Sequence, residues 1–86
     1  MADYTIKIEN SAYNPASLSI KSGDRIIWEN NDGMAHTATR MADPAFDTGL
    51  IRPGNKSAPI TISSRAGTLE YTCRPHPFMG GKIVVT

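Results

Sequence analysis

One cysteine, two histidines and a methionine carry the chemistry open to this chain. Cys73-Arg74-Pro75-His76-Pro77-Phe78-Met79 sets Cys73, His76 and Met79 at three-residue intervals, and the other histidine, His36, lies far upstream after a Gly-containing loop. Two imidazoles and one thiolate in a near-trigonal plane, with a weak axial thioether, make a site acceptable to both Cu(II) and Cu(I). Soft sulfur suits Cu(I) and imidazole suits either state. A weak axial methionine leaves the geometry short of what Cu(II) alone prefers, so one electron can be exchanged with little rearrangement. Zinc fits less well, because a thioether is a poor zinc ligand and structural zinc sites use four Cys or His donors where this chain offers three. Prolines on both sides of His76 restrict φ and stiffen the segment joining the ligands. Pro75 also removes the N–H that would be the second donor to a thiolate at this spacing. An electron-rich sulfur favours Cu(II), so Pro75→Ala is expected to raise the reduction potential.

Each residue also has a plainer reading. A single cysteine is by default an inert small hydrophobe, a lone histidine is more often a loop or core residue, and Met79 can pack beside Phe78 without touching a metal. Met34 and Met41 read as ordinary apolar residues, and Arg74 and Lys82 as solvated surface charges. A thiol hydrolase using Cys73 with His36 or His76 as base is a third class of chemistry, but no residue that would orient the base is evident.

The elements that must bring these residues together are strands. Period-2 alternation recurs in short windows bounded by turn residues, the pattern of an all-β sandwich or barrel. Tyr4, Ile6 and Ile8 alternate with Thr5, Lys7 and Glu9; Leu18 and Ile20 follow the Asn14-Pro15 turn signal; Ser22-Gly23-Asp24 leads into Arg25–Asn30, with Trp28 as the expected core centre. Asn30-Asn31-Asp32-Gly33 predicts a loop before a short strand at His36–Thr39. Residues 40–55 predict a long connection with one short strand near Phe46–Ile51. Ile60 and Ile62, then Leu69 and Tyr71, then Lys82–Thr86 supply the remaining strands, seven or eight in all. A strand at His36 beside the one ending in Cys73 would bring His36 and the Cys73–Met79 loop to one end of the sandwich.

Composition bounds the rest. Eighty-six residues with a formal charge of +1 make one small domain, 1–86, with a modest core and no basic stripe for nucleic acid or a membrane surface. One cysteine gives no internal disulfide, so another stabilising device is expected, and a bound metal would raise the unfolding temperature by mass action. No apolar run is long enough to span a membrane. Met1-Ala2-Asp3 opens neither a signal nor a transit peptide, and size and charge favour a soluble monomer.

A family resemblance rests on two segments. Tyr71-Thr72-Cys73-Arg74-Pro75-His76-Pro77-Phe78-Met79-Gly80-Gly81-Lys82-Ile83-Val84-Val85 resembles the C-terminal segment of the amicyanins, type 1 blue copper proteins of the cupredoxin (plastocyanin-like) family, in its short Cys-x2-His-x2-Met spacing. Leu18–Asn30 with Met34-Ala35-His36 is similar to the strand pair leading into that family's first ligand histidine. The resemblance implies an all-β Greek-key β-sandwich in which His36, Cys73, His76 and Met79 bind one type 1 copper ion. It implies a one-electron carrier cycling Cu(II)/Cu(I) between redox partner proteins, not an enzyme. A copper-binding module or copper carrier without a shuttle role is the alternative. The partners it suggests are a c-type cytochrome and an amine-oxidising dehydrogenase, docking on an apolar patch of Pro75, Pro77, Phe78, Met34 and Ala35 around His76. Because such relatives are exported, a processed periplasmic protein is expected, with a cytoplasmic one as the alternative. If His76 is the exposed ligand, protonation in the Cu(I) state competes with metal binding and the potential rises as pH falls. The chain departs from the family pattern at Ala35 and Thr37, where Pro and Asn are common. Thr37 keeps a backbone N–H for the Cys73 sulfur, but its hydroxyl cannot reproduce the bonding of an Asn amide.

Overall fold

Alternation in Tyr4-Thr5-Ile6-Lys7-Ile8-Glu9 produces the first strand, β1 (Asp3–Glu9), in the computed structural model, which describes residues 2–86. Ile6 and Ile8 point inward and are fully buried, while Thr5 and Lys7 face water. Asn10 and Ser11 both take positive φ, 52° and 54°, and turn the chain directly into β2 (Ala12–Asn14). Two successive residues at positive φ form the turn whose twist matches a two-residue hairpin. The alternation pattern does not anticipate β2, because Asn-Ser lacks the glycine that usually announces such a turn.

The remaining strands are β3 (Ser17–Ile20), β4 (Arg25–Asn30), β5 (Thr39–Arg40), β6 (Phe46–Asp47), β7 (Ile60–Thr61), β8 (Gly67–Thr72) and β9 (Gly80–Val85). The described residues thus hold nine strands where seven or eight are expected, the hairpin strand β2 being the addition. One sheet has the order β2-β1-β4-β7 and the other β3-β9-β8-β5-β6. β1 and β4 pair in parallel, as do β3 and β9, so the chain crosses between sheets in the Greek-key manner rather than meandering. No helix among the described residues is long and apolar enough to cross a membrane.

Aromatic side chains join the sheets. Trp28 on β4 is fully buried, stacks on Phe46 of β6 at 5.6 Å between centroids, and meets Tyr71 of β8 edge-on at 5.5 Å. Its indole N–H donates to the Tyr71 hydroxyl at 3.3 Å, so the polar edge is satisfied inside the core. Tyr13 of β2 packs edge-on against Tyr71 from the other side at 4.7 Å. Gly81, paired with Tyr71 across β8 and β9, leaves room for that ring, since a Cβ there would overlap it. Tyr13 donates its hydroxyl hydrogen to the Thr37 carbonyl, which ties this cluster to the segment carrying His36.

Candidate metal centre

His36 follows a loop that its own polar side chains hold in shape. Asn30, fully buried at the end of β4, donates from its amide to the Met34 and Ile51 carbonyls, both at 2.8 Å, and accepts from the Asp32 N–H at 2.9 Å. A buried amide bonded this fully is costly to remove, because each partner then loses its bond. His36 exchanges backbone hydrogen bonds with Ile51, at 3.2 Å and 2.8 Å, as an isolated bridge. The strand expected at His36–Thr39 is therefore shorter, Thr39–Arg40, and His36 stands just before it. The His36 ring is fully buried, and its Nε2 lies 2.8 Å from Asp32 Oδ2. That carboxylate also accepts from the N–H groups of Ser11, at the β1–β2 hairpin tip, and Gly33. The hydrogen bond from His36 comes first among the causes holding the Asp32 carboxyl below the usual aspartate range, followed by those two amides. A carboxylate on Nε2 fixes the ring orientation and leaves Nδ1 free to face inward.

Cys73 enters from the neighbouring strand. Thr39 on β5 pairs with Thr72 on β8, which brings Thr37 beside Cys73 immediately past the end of β8. Cys73 is fully buried, and its Sγ is 3.6 Å from His36 Nδ1 and 3.7 Å from His76 Nδ1. The three donor atoms lie within 4.8 Å of one another, a spacing that one ion can bridge. The two imidazoles are 4.8 Å apart between centroids and tilted by 53°. Met79 is 2% exposed at the end of the same loop, with its N–H on the His76 carbonyl at 2.9 Å. The fold brings His36 together with Cys73 and His76 from a distant segment. A set of two imidazoles, one thiol and a nearby buried thioether fits copper better than zinc.

The thiol is not arranged for hydrolysis. Its sulfur is sealed from solvent, and the carboxylate that orients an imidazole is on buried His36 rather than on a base open to substrate. The Thr37 N–H donates to Cys73 Sγ at 3.3 Å, while Pro75 has no N–H to add. Two tyrosines near the site stay protonated. Burial pushes the Tyr13 hydroxyl above the ordinary phenol range, and does the same to Tyr71.

At the outer side, His76 is half-buried and Arg74, Pro75, Pro77 and Phe78 around it face water. Phe78 is 75% exposed, and Leu50, 66% exposed, lies beside Pro75 and adds to the expected apolar patch a residue not named in it. Met34 and Met41, expected as ordinary apolar residues, are both exposed. Arg74, expected as a solvated charge, is exposed and also pairs with Asp47 at 2.9 Å.

The copper-binding protein profile of the plastocyanin/azurin family matches residues 2–86. Amicyanin of Paracoccus denitrificans is 35% identical over 82 residues, which cover 93% of this chain and 63% of that protein. Chloroplastic plastocyanin of Tetradesmus obliquus is 33% identical over 85 residues, covering 85% of this chain and 57% of its own length. The chain therefore spans a little under two thirds of those relatives. Among solved structures, the reduced Cu(I) form at pH 4 of a proline-to-glycine amicyanin variant superposes with a TM-score of 0.85 at 31% identity, over 95% of this chain and 80% of that one. With the profile running through both sheets and the sulfur–imidazole cluster at their common end, the chain belongs to the plastocyanin/azurin family of copper-binding proteins.

Proposed function

We propose that this chain, residues 1–86 acting as one cupredoxin-like domain, is a one-electron carrier, with His36, Cys73, His76 and Met79 as the ligands of a single type 1 copper ion. The observation that carries this reading is the buried Cys73 sulfur lying 3.6 and 3.7 Å from the Nδ1 atoms of two histidines drawn from different segments. Copper bound there supplies a Cu(II)/Cu(I) couple at a set of hard and soft donors tolerant of both states. The protein's own part is to hold the donors still. Asp32 keeps the His36 ring turned inward, the Thr37 amide draws electron density from the sulfur, and prolines at 75 and 77 stiffen the loop bearing His76. Donors fixed by the fold need little movement when the charge changes by one electron.

His76, half-buried amid exposed Pro75, Pro77, Phe78 and Met34, is the route by which an electron would leave. An apolar patch lets a partner approach while desolvating few ions, and a small, weak interface suits rapid exchange. A c-type cytochrome and an amine-oxidising dehydrogenase are the partners we propose, for a monomer in the periplasm. The test is to load the purified protein with one equivalent of copper and follow repeated reduction and oxidation, then electron transfer to a c-type cytochrome. Reversible cycling, with transfer faster than copper exchange between molecules, supports the carrier. Copper passing to the partner as fast as the electron would make the chain a copper carrier instead.

A further inference from the structure

Four residues outside the metal-donor set close a ring behind the Cys73 sulfur. The Arg74 N–H donates to Thr37 Oγ1 at 3.0 Å, Thr37 Oγ1 lies 2.9 Å from Thr39 Oγ1, Thr39 donates to Asp47 Oδ1 at 3.0 Å, and Asp47 Oδ2 pairs with the Arg74 guanidinium at 2.9 Å. The direction of every hydrogen follows from one group. A carboxylate only accepts, so the Thr39 hydroxyl must give its hydrogen to Asp47; Thr39 Oγ1 must then accept from Thr37, whose own oxygen receives the Arg74 N–H. The Gly49 N–H at 2.9 Å holds the same Asp47 oxygen in place. Thr37 and Thr39 are 1% and 3% exposed, so water cannot replace a lost partner.

Thr37 is the vertex that matters for the metal centre, because its backbone N–H donates to Cys73 Sγ. Its side chain meanwhile grips the amide that follows the cysteine. The sulfur and its donor are therefore registered to one another twice, once directly and once through the ring.

We propose that Asp47 is a positioning residue for the Cys73 sulfur: by setting the hydrogen direction of the Thr39 and Thr37 hydroxyls, it holds the Thr37 amide on that sulfur. The inference rests on Cys73 as a copper ligand for its functional consequence, but the geometry it asserts is testable without metal. The experiment is native-state hydrogen exchange on the metal-free full chain, comparing Asp47→Ala and Thr39→Val with the parent. Both variants should cost the Thr37 and Arg74 amides about tenfold more protection than the β1 and β4 amides of Ile6 and Trp28, the equivalent of one buried hydrogen bond. Arg74→Gln should cost them far less, since its backbone N–H remains and an exposed ion pair contributes little.

In copper-loaded protein, both Asp47→Ala and Thr39→Val should lower the reduction potential, because a sulfur with a weaker donor is more electron-rich and favours Cu(II). Should Asp47→Ala fail to fold, Thr39→Val breaks the same ring while keeping its β-branched shape. Protection lost equally at Thr37 and at Ile6, or unchanged at Thr37, overturns the proposal. A parent chain that binds no copper overturns the electron-carrier reading alone and leaves the exchange result standing.

Discussion

The two histidines that face Cys73 are held in opposite ways. His36 is fully buried, bridged to Ile51 through its backbone, pinned by Asp32 through its ring, and approached by a loop wrapped around the Asn30 amide. His76 is half-buried, in a loop tied by its own carbonyl to the Met79 N–H and by the Arg74 N–H to Thr37 Oγ1, and its neighbours on both sides are prolines that cannot donate. The first side fixes geometry from the sheets outward. The second exposes one edge of the same centre to a visitor, with proline rings on both sides of the histidine where His36 has a carboxylate. A site that must stay rigid and also be reached divides those tasks between its two imidazoles.

The contrast breaks most readily at Asn30. Asn30→Ala should lower the stability of the metal-free protein by about 2 kcal/mol, because the Met34 carbonyl and the Asp32 amide lose a partner in a partly buried loop and the Ile51 carbonyl, inside, keeps only the His36 N–H. Urea unfolding followed by Trp28 fluorescence measures this. Asp32→Asn should act on the same side through acid. Its carboxyl is held below the ordinary value of about 3.9, so the stability it contributes is present above that pH and is lost as pH falls through the lower folded value. The variant's unfolding midpoint should therefore fall less than the parent's between mildly acidic pH and about pH 3.

On the open side, effects should appear in redox behaviour rather than stability. Pro75→Ala restores a backbone N–H near the sulfur and should raise the potential of the copper-loaded protein by up to about 60 mV, the equivalent of a tenfold change for one electron. Voltammetry that finds an unchanged or lower potential would reject the role given to the missing donor. Phe78→Ser should be the mildest in stability, within about 0.5 kcal/mol of the parent, yet it should slow electron transfer to a partner protein in stopped-flow measurements.

Much of this contrast is visible in the residues themselves, and the missing part has a common cause. The Ser22-Gly23-Asp24 turn and the apolar run after it placed β4 at Arg25–Asn30 and Trp28 at the core centre, because turn residues and buried side chains are written locally. The Cys73, His76 and Met79 spacing is likewise local. His36 was reached through the chemistry its partners demand. Asn30 and Asp32 were read only as turn residues, although the acceptors that favour a turn are the same ones that cap the His36 loop. Arg74 looked like a free charge because its partner Asp47 sits on another strand. The β1–β2 hairpin, whose Ser11 amide helps hold Asp32, was hidden by an Asn-Ser turn without glycine. Pairings made only by the tertiary fold leave no periodic mark in the chain.

The most direct measurement of the central claim is to add one equivalent of Cu(II) to the metal-free protein and record its visible and electron paramagnetic resonance spectra. Two imidazoles and a thiol gathered as described, with Met79 as the proposed fourth donor, should give an intense blue colour with a narrow copper hyperfine splitting, both lost in Cys73→Ser. A pale solution with a wide splitting, or a spectrum indifferent to Cys73→Ser, would show that copper is held elsewhere.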